Sequence, residues 1–367
     1  MSKILDTFSM LKDILDKPGV TGFEEQRRRC IAEYFSKFCD SVSTDVIGNI
    51  IGTAGHGEKT VMLAGHYDQI GFMISYIEEE GYACFKQVGT WDPRVIYGTR
   101  VRIWTGQQPT SFVTGTIGAQ PVHLVEREER EKAIKMEDMR IDFGASNRAE
   151  AEKLGVLPGC VATIDSSVAR LGTESSDLVV GAGFDDSCSI AAFLKCLELL
   201  EDKRLDKVKV CVVATVQEEI GLRGAMVSGF NIAPWCAIAV DVTHAIAPGV
   251  KATKVGEIKL GGGPAIGVGP NFTKELWTMM VEQAKVKKIP FQIEPVPAAS
   301  GTDAWALQVV RGGRISGLVS VPNRYMHSAN EVISIKDLEN VGKLLAVTIE
   351  ALQESNIQTS QILKKSK

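Results

Sequence analysis

Residues 208–216 read VKVCVVATV, and a run this apolar is wrong for a strand with one face in water. Such a strand would alternate. A nearly continuous apolar run predicts a strand covered on both faces, as in mostly parallel sheets flanked by helices. Residues 61–64 (VMLA), 236–240 (CAIAV) and 315–321 (ISGLVSV) share the texture. Helical spacing fills the intervals. Residues 3–17 carry Ile4, Leu5, Phe8, Leu11 and Leu15 on one face and stop at Pro18-Gly19. Residues 23–38, 186–200, 273–288 and 335–352 also read as helices, and 291–296 alternate. The tail, 354–367, is polar and predicted to fray. The fold class is therefore α/β.

Between 71 and 170 the pattern changes. Short alternating runs (FMISYIE, YACFKQV, TRVRIW, SFVTGTI) are separated by Gly, Pro and Asp, the signature of a small antiparallel β unit or barrel. The charged stretch 126–140 predicts a solvated helix or loop. The simplest organisation is one discontinuous α/β domain, 1–70 with 171–367, and an inserted β domain, 71–170. A chain of 367 residues suits two domains at ~150 residues each.

Composition removes several functions. Lys plus Arg is 41 and Asp plus Glu is 45, a net charge of −4, so the basic stripe of a nucleic-acid binder is not expected. No apolar run approaches the ~20 residues of a membrane span. The opening residues, MSKILD, have no apolar segment of the secretory kind, so no leader is expected. Eight cysteines, none in a C-x-x-C pair and most in apolar stretches, predict reduced buried thiols and a cytoplasmic protein.

The chemistry gathers where the apolar runs end. The run at 61–64 leads to His66 and Asp68, that at 208–216 to Gln217-Glu218-Glu219, that at 236–240 to Asp241, and that at 315–321, after a short loop, to His327. Asp185-Asp186 opens the helix at 186–200, where an N-cap with a charged neighbour is the ordinary reading. Ligand sites of open α/β sheets form at the carboxyl ends of the strands. Each residue alone reads as structural; their concurrence predicts one site. Two imidazoles and several carboxylates offer the mixed N/O donors that suit zinc, cobalt or manganese. A paired site needs a carboxylate bridging ions ~3.5–4 Å apart and a non-ligating base beside the bridging water. Glu218-Glu219 offers one ligand and one base. The carboxylate of Asp68 is predicted to accept the other imidazole N–H of His66.

From residue 3 to 353 the chain resembles the di-metal aminopeptidases that assemble as tetrahedral dodecamers, metallopeptidase family forty-two, which includes glutamyl and deblocking aminopeptidases. The segments that carry the resemblance are TGFEEQRR (21–28), AGHYDQIGFMI (64–74), IDFGASNRAEAEKLGVLPG (141–159), GAGFDD (181–186), VQEEIGLRGA (216–225), AVDVTHA (239–245), SGTDAWAL (300–307) and VPNRYMHSANEVIS (321–334). The resemblance implies a mixed-sheet zinc-aminopeptidase-like catalytic domain with an inserted small β-barrel domain used for dimerisation. It implies that His66, Asp185 and Asp241 hold one ion, and that Asp185, Glu219 and His327 hold the other. Glu218 would be the general base and Asp68 the carboxylate orienting His66. It further implies two divalent ions per chain, zinc or cobalt, and removal of the N-terminal residue from short peptides by a metal-bridging hydroxide. Self-association would give a dodecamer, or failing that a dimer. Two positions depart from the family pattern: Gln69 stands where an acid is usual, and Ser187 where a large polar residue is common.

Other readings remain. The same site could deacylate N-acylated amino acids or peptides. Paired carboxylates could hydrolyse glycosides. A decayed site on an assembly scaffold would rest on Gln69 and Ser187. His244 reads as pocket-lining, His56 and His123 as surface residues, and Trp91, Trp104, Trp235, Trp277 and Trp305 as core or interface. Gly261-Gly262-Gly263-Pro264 fits no phosphate-loop spacing and reads as a close-packed active-site loop. A G-x-S-x-G elbow, which a serine hydrolase of the α/β type would carry, is absent.

Overall fold

A computed structural model describes residues 6–106, 111–355 and 357. An eight-stranded mixed sheet forms its centre. Its order is Ser41–Thr44, Ile50–Ala54, Val208–Thr215, Lys59–His66, Cys236–His244, Ile315–Asn323, Ala265–Val268 and Gln292–Pro295. The four strands in the middle run parallel. These are the four apolar runs of the sequence. Ile315–Asn323 is buried at every position and Cys236–His244 at every position but the last.

The helices cover the two faces. Thr7–Leu15 starts at Asp6, whose carboxylate accepts the Ser9 N–H, and buries Met10, Leu11 and Ile14. Residues 3–5 of the predicted helix lie outside the described residues. The second helix is shorter than expected, Glu25–Phe35, because Glu24 leaves helical geometry to accept the Gly22 N–H. Phe184–Leu200 is apolar nearly all round and lies between the sheet and Ile335–Gln353. Burial of Phe193, Leu194 and Leu197 stabilises the layer by roughly 2 kcal/mol per side chain. The helices touch at Gly342, where an added Cβ would stand 2.6 Å from Lys195 Cβ and 2.8 Å from the Ala192 carbonyl. Gly65 does the same between strand and helix: a Cβ there would meet Ser189 Cβ at 2.6 Å. Its absence lets the helix start carrying Asp185 approach the strand end carrying His66.

The chain between the strands Lys59–His66 and Val208–Thr215 includes a closed six-stranded barrel. Its strands, around the barrel, are Gly71–Ile77, Ala83–Val88, Arg140–Asp142, Ser111–Gly118, Arg100–Thr105 and Val161–Ile164. Phe72 sits at its core, edge-on to Phe85 at 5.1 Å and stacked on Trp91 at 5.0 Å. The charged stretch 126–140 forms the short turns Arg127–Glu129 and Met136–Asp138, then enters the barrel through Arg140–Asp142. Arg140 binds Glu78 at 2.7 Å and Ile141 is fully buried, so a segment read as solvated contributes a strand at its end. A small sheet of Ala169–Arg170, Leu178–Gly181 and Glu331–Ser334 joins the end of the barrel segment to the site. Among the described residues no helix is long and apolar enough to cross a membrane. The polar tail beyond 357 lies outside the described residues.

Candidate metal centre

The carboxyl ends of the parallel strands converge as expected for this sheet. His66 ends its own strand and pairs in register with Thr215. Asp241 lies within Cys236–His244, beside Ser320. Beyond Thr215 the chain turns sharply: Gln217 has a positive φ of 56°, an unfavourable conformation for a side chain with a Cβ. That turn breaks the alternation of the strand and lets Glu218 and Glu219 face one site. His327 also has a positive φ, 57°. Strain of about 1–3 kcal/mol at such residues persists where the surroundings fix them.

Asp185 is the centre. Its Oδ1 lies 3.1 Å from His66 Nε2 and its Oδ2 lies 3.1 Å from His327 Nε2. Glu218 Oε2 is 3.8 Å from His66 Nε2, and Glu219 Oε1 is 3.6 Å from His327 Nε2. Ligand atoms gather within 4.8 Å of one another in His66–Asp185–Asp241, in Asp185–Glu219–His327 and in His66–Glu218–Glu219.

Both imidazoles are held by backbone carbonyls. His66 Nδ1 lies 3.0 Å from the Asp68 carbonyl and His327 Nδ1 lies 3.0 Å from the Thr90 carbonyl. A carbonyl only accepts, so each Nδ1 carries a proton and each ring turns its Nε2 to Asp185, as an N–H donor when the ring is charged and as a lone pair when it is neutral. The carboxylate of Asp68, expected to orient the His66 ring, lies farther off, its Oδ1 3.6 Å from His66 Nδ1. That carboxylate accepts the Thr21 hydroxyl at 2.7 Å and the N–H groups of Glu218 at 3.2 Å and Glu219 at 3.4 Å. It holds the turn that carries the glutamates, while its own main chain orients the imidazole.

The donor set fits cations. Two lone pairs directed at one carboxylate repel it unless a proton or metal ion lies between them. Donors ~2 Å from a tetrahedral ion stand about 3.3 Å apart, close to the observed spacing. Glu219 Oε1 is buried without a hydrogen-bond partner. The electrostatics agree. Burial, with Asp241, Asp303 and Glu219 nearby, raises the Glu218 pKa against the pull of His66. Burial and Asp185 raise Glu219 and Asp241. Burial also opposes ionisation of Asp185, but hydrogen bonds from His327 and His66 outweigh it and its pKa falls. Burial pushes the His327 pKa down, and Asp185, Glu219 and Glu331 push it further up, to about 9.

The sequence reading missed the residues behind these. Glu331 accepts the Asp185 N–H at 3.0 Å and the His327 N–H at 3.2 Å, tying two ligand-bearing segments together. It lies four residues after His327 in the motif at 321–334, the one available signal. Asp303, at the end of the segment 300–303 that resembles a pocket loop, accepts the Thr215 hydroxyl at 2.5 Å. Arg27, fully buried, donates to the Tyr67 carbonyl at 3.1 Å, between His66 and Asp68. The glycine loop at 261–263 is a correction. Its Gly261 and Gly263 N–H groups bond to Asp337 at 2.7 and 2.8 Å, fastening it to the start of Ile335–Gln353, and it lies outside the site's cavity. His244 and Trp305 are exposed and line that cavity; His56 and His123 are exposed elsewhere. The cavity opens over Asp185 with a volume of about 590 Å³.

The sequence matches the M42 glutamyl aminopeptidase family over residues 48–344. It is 34% identical over 349 residues to a lysyl aminopeptidase of Pyrococcus furiosus, covering 94% of this chain and 97% of that protein. The fold resembles an aminopeptidase of the archaeon Desulfurococcus kamchatkensis, with a TM-score of 0.86, 33% identity and 94% of both chains covered. It also resembles a Pyrococcus horikoshii TET1 peptidase that can assemble into a tetrahedron or a large octahedral shell, with a TM-score of 0.81, 32% identity, and 93% and 98% of the two chains covered. The likeness runs along nearly the whole chain, which belongs to the M42 family of aminopeptidases and is a peptidase hydrolase.

Proposed function

We propose that the chain is a metal-dependent aminopeptidase that removes the N-terminal residue from short peptides. The observation that carries this reading is the Asp185 carboxylate, addressed at 3.1 Å on one oxygen by His66 and on the other by His327. His66, Asp185 and Asp241 would hold one ion, and Asp185, Glu219 and His327 a second. Mixed nitrogen and oxygen donors favour zinc or cobalt. When bound, two such ions acidify water and polarise a carbonyl.

The chain's own groups do the rest. Glu218 Oε2, poised 3.8 Å from His66 Nε2, accepts the proton of the attacking water and returns it to the leaving amine. Burial and neighbouring acids raise its pKa in the metal-free chain, and cations held beside it would restore the carboxylate that accepts the proton. The carbonyls of Asp68 and Thr90 keep the Nε2 atoms of His66 and His327 free. Asp68, through the N–H groups of Glu218 and Glu219, holds base and ligand in place.

The barrel, a separable body on the catalytic sheet, is the proposed self-association surface, with a dodecamer as the assembly and a dimer as the smaller alternative. Light scattering at working concentration distinguishes them.

The function is tested with aminoacyl chromogenic amides and their N-acylated counterparts. Metal-stripped protein is assayed before and after addition of zinc or cobalt. Release restored by metal from free-amine substrates is the expected result. Release from the acylated set alone would make the enzyme a deacylase. Silence with metal bound would overturn the reading.

A further inference from the structure

One carboxylate in the cavity has no part in the site described so far. Glu294 stands on the edge strand Gln292–Pro295 and lines the same cavity as Asp185 and Asp241. Its Oε1 accepts the Thr243 hydroxyl and its Oε2 the Ser320 hydroxyl, both at 2.6 Å. Both donors are neighbours of a candidate metal ligand. Thr243 follows Asp241 by two residues on one strand, so the two side chains share a face. Ser320 is the register partner of Asp241 on the next strand. Glu294 is thereby anchored about 7 Å of strand beyond Asp241, on the cavity side.

That placement has a chemical consequence. The described lining of the cavity contains no lysine or arginine. The walls of the cavity include Leu318, Val296 and Met326, which suit an aliphatic stem. Each carboxylate oxygen keeps a second lone pair beyond the hydroxyl it already accepts. Burial raises the carboxyl's pKa and the two hydroxyl donors pull it down; a cation beside it would favour the charged form further. A substrate lysine, with its ammonium on a flexible four-carbon stem, matches this wall and this end group.

We infer that Glu294 is the selectivity residue of the cavity, and that the enzyme prefers peptides whose N-terminal residue carries a cationic side chain, lysine or arginine. The inference rests on the aminopeptidase reading and goes one step past it.

The test compares kcat/KM for lysyl, arginyl, norleucyl, leucyl and glutamyl amides in the metal-loaded full chain. Norleucine has the lysine stem without the charge. Wild-type enzyme is expected to favour lysyl over norleucyl amide by about tenfold or more, with glutamyl amide the poorest. Glu294→Gln keeps the shape and one hydroxyl donor to its Oε1, while the other hydroxyl turns to accept from Nε2; it is expected to collapse the lysyl-to-norleucyl ratio toward unity. A purely structural Glu294 would lower both substrates together and leave the ratio intact, which overturns the inference. The wild-type ratio needs no variant: a value near unity, or a preference for glutamyl amide, overturns it too. Hydrolysis of neutral amides without cation preference refutes the selectivity alone. Silence on every free-amine substrate refutes the aminopeptidase reading beneath it.

Discussion

Gln69 and Ser187, 118 positions apart in the sequence, are bound to the two terminal nitrogens of a single guanidinium. Arg27 Nη2 donates to Gln69 Oε1 at 2.6 Å and Nη1 donates to Ser187 Oγ at 3.1 Å. These are the two positions at which the sequence departs from the pattern it resembles, so in space the departures form one unit. The same guanidinium donates to the Tyr67 and Lys17 carbonyls at 3.1 and 2.8 Å. Burial lowers the Arg27 pKa to about 10, against the attraction of Glu24 and Asp68, and it stays a cation at neutral pH.

Removing that cation leaves several buried acceptors without a donor. Arg27→Met is expected to cost on the order of 3 kcal/mol in urea unfolding of the metal-free chain, since each orphaned buried group costs about 1–3 kcal/mol. Because Tyr67 lies between His66 and Asp68, the variant is also expected to bind metal less tightly. An unchanged urea midpoint would show that Arg27 is not holding these segments.

Asp68 and Glu218 separate two kinds of loss. Glu218→Gln is expected to keep its metal and lose about a hundred- to ten-thousand-fold in kcat, as removal of a general base does. Asp68→Asn keeps the shape but weakens the acceptor for the Glu218 and Glu219 N–H groups. It is expected to lower kcat roughly 10- to 100-fold, in the range for groups that orient ligands. Metal analysis beside kinetics checks both. Loss of metal from Glu218→Gln would make Glu218 a ligand.

What the sequence made legible follows from packing. Strands covered on both faces leave uniform apolar runs, so the four parallel strands could be read directly. Ser41–Thr44 is mostly exposed and Ala265–Val268 is only four residues long, and neither leaves a pattern. Arg140–Asp142 joins the barrel by pairing with distant strands, which a local pattern of charges hides. At the site, strand ends pointed to His66, Glu218, Glu219, Asp241 and His327. The target of the Asp68 carboxylate depended on the backbone turn at Gln217, which no spacing encodes. Arg27 sits in a run of three arginines, where a buried guanidinium and solvated ones look alike.

Outside the barrel, one exposed face is apolar. Met226 and Phe230 lie one turn apart on Arg223–Ile232, and Trp305 and Val309 one turn apart on Asp303–Val309, all about half exposed or more. The two helices are in contact. Val309→Lys places a cation at a helix C-terminus, where the dipole favours it. Little stability should change, within about 0.5 kcal/mol for an exposed site. If this face joins copies of the chain, light scattering will report a smaller particle with an unaltered urea midpoint. A particle of wild-type mass would confine assembly to other surfaces.

Metal uptake should be strongly pH-dependent, with a sign fixed by His327. A ligand imidazole must be neutral, yet in the metal-free chain burial is outweighed by Asp185, Glu219 and Glu331 and the His327 pKa stands at about 9. His66 is raised likewise: burial lowers it, and Glu218, Asp185, Asp68 and Asp241 together raise it well above its ordinary value. Below pH 9 binding therefore displaces protons, and apparent affinity rises with pH by about tenfold per unit for each proton released. The folding contribution has the opposite slope. A raised imidazole stabilises the metal-free fold fully below its ordinary pKa of 6.5, and that contribution is lost as pH climbs through about 9. Calorimetric titration with zinc in two buffers of different ionisation enthalpy counts the protons. His327→Gln, with no titrating ring, is expected to release about one fewer. Equal release from both proteins would mean that His327 is neutral before metal arrives, and that the cluster's proton sits elsewhere.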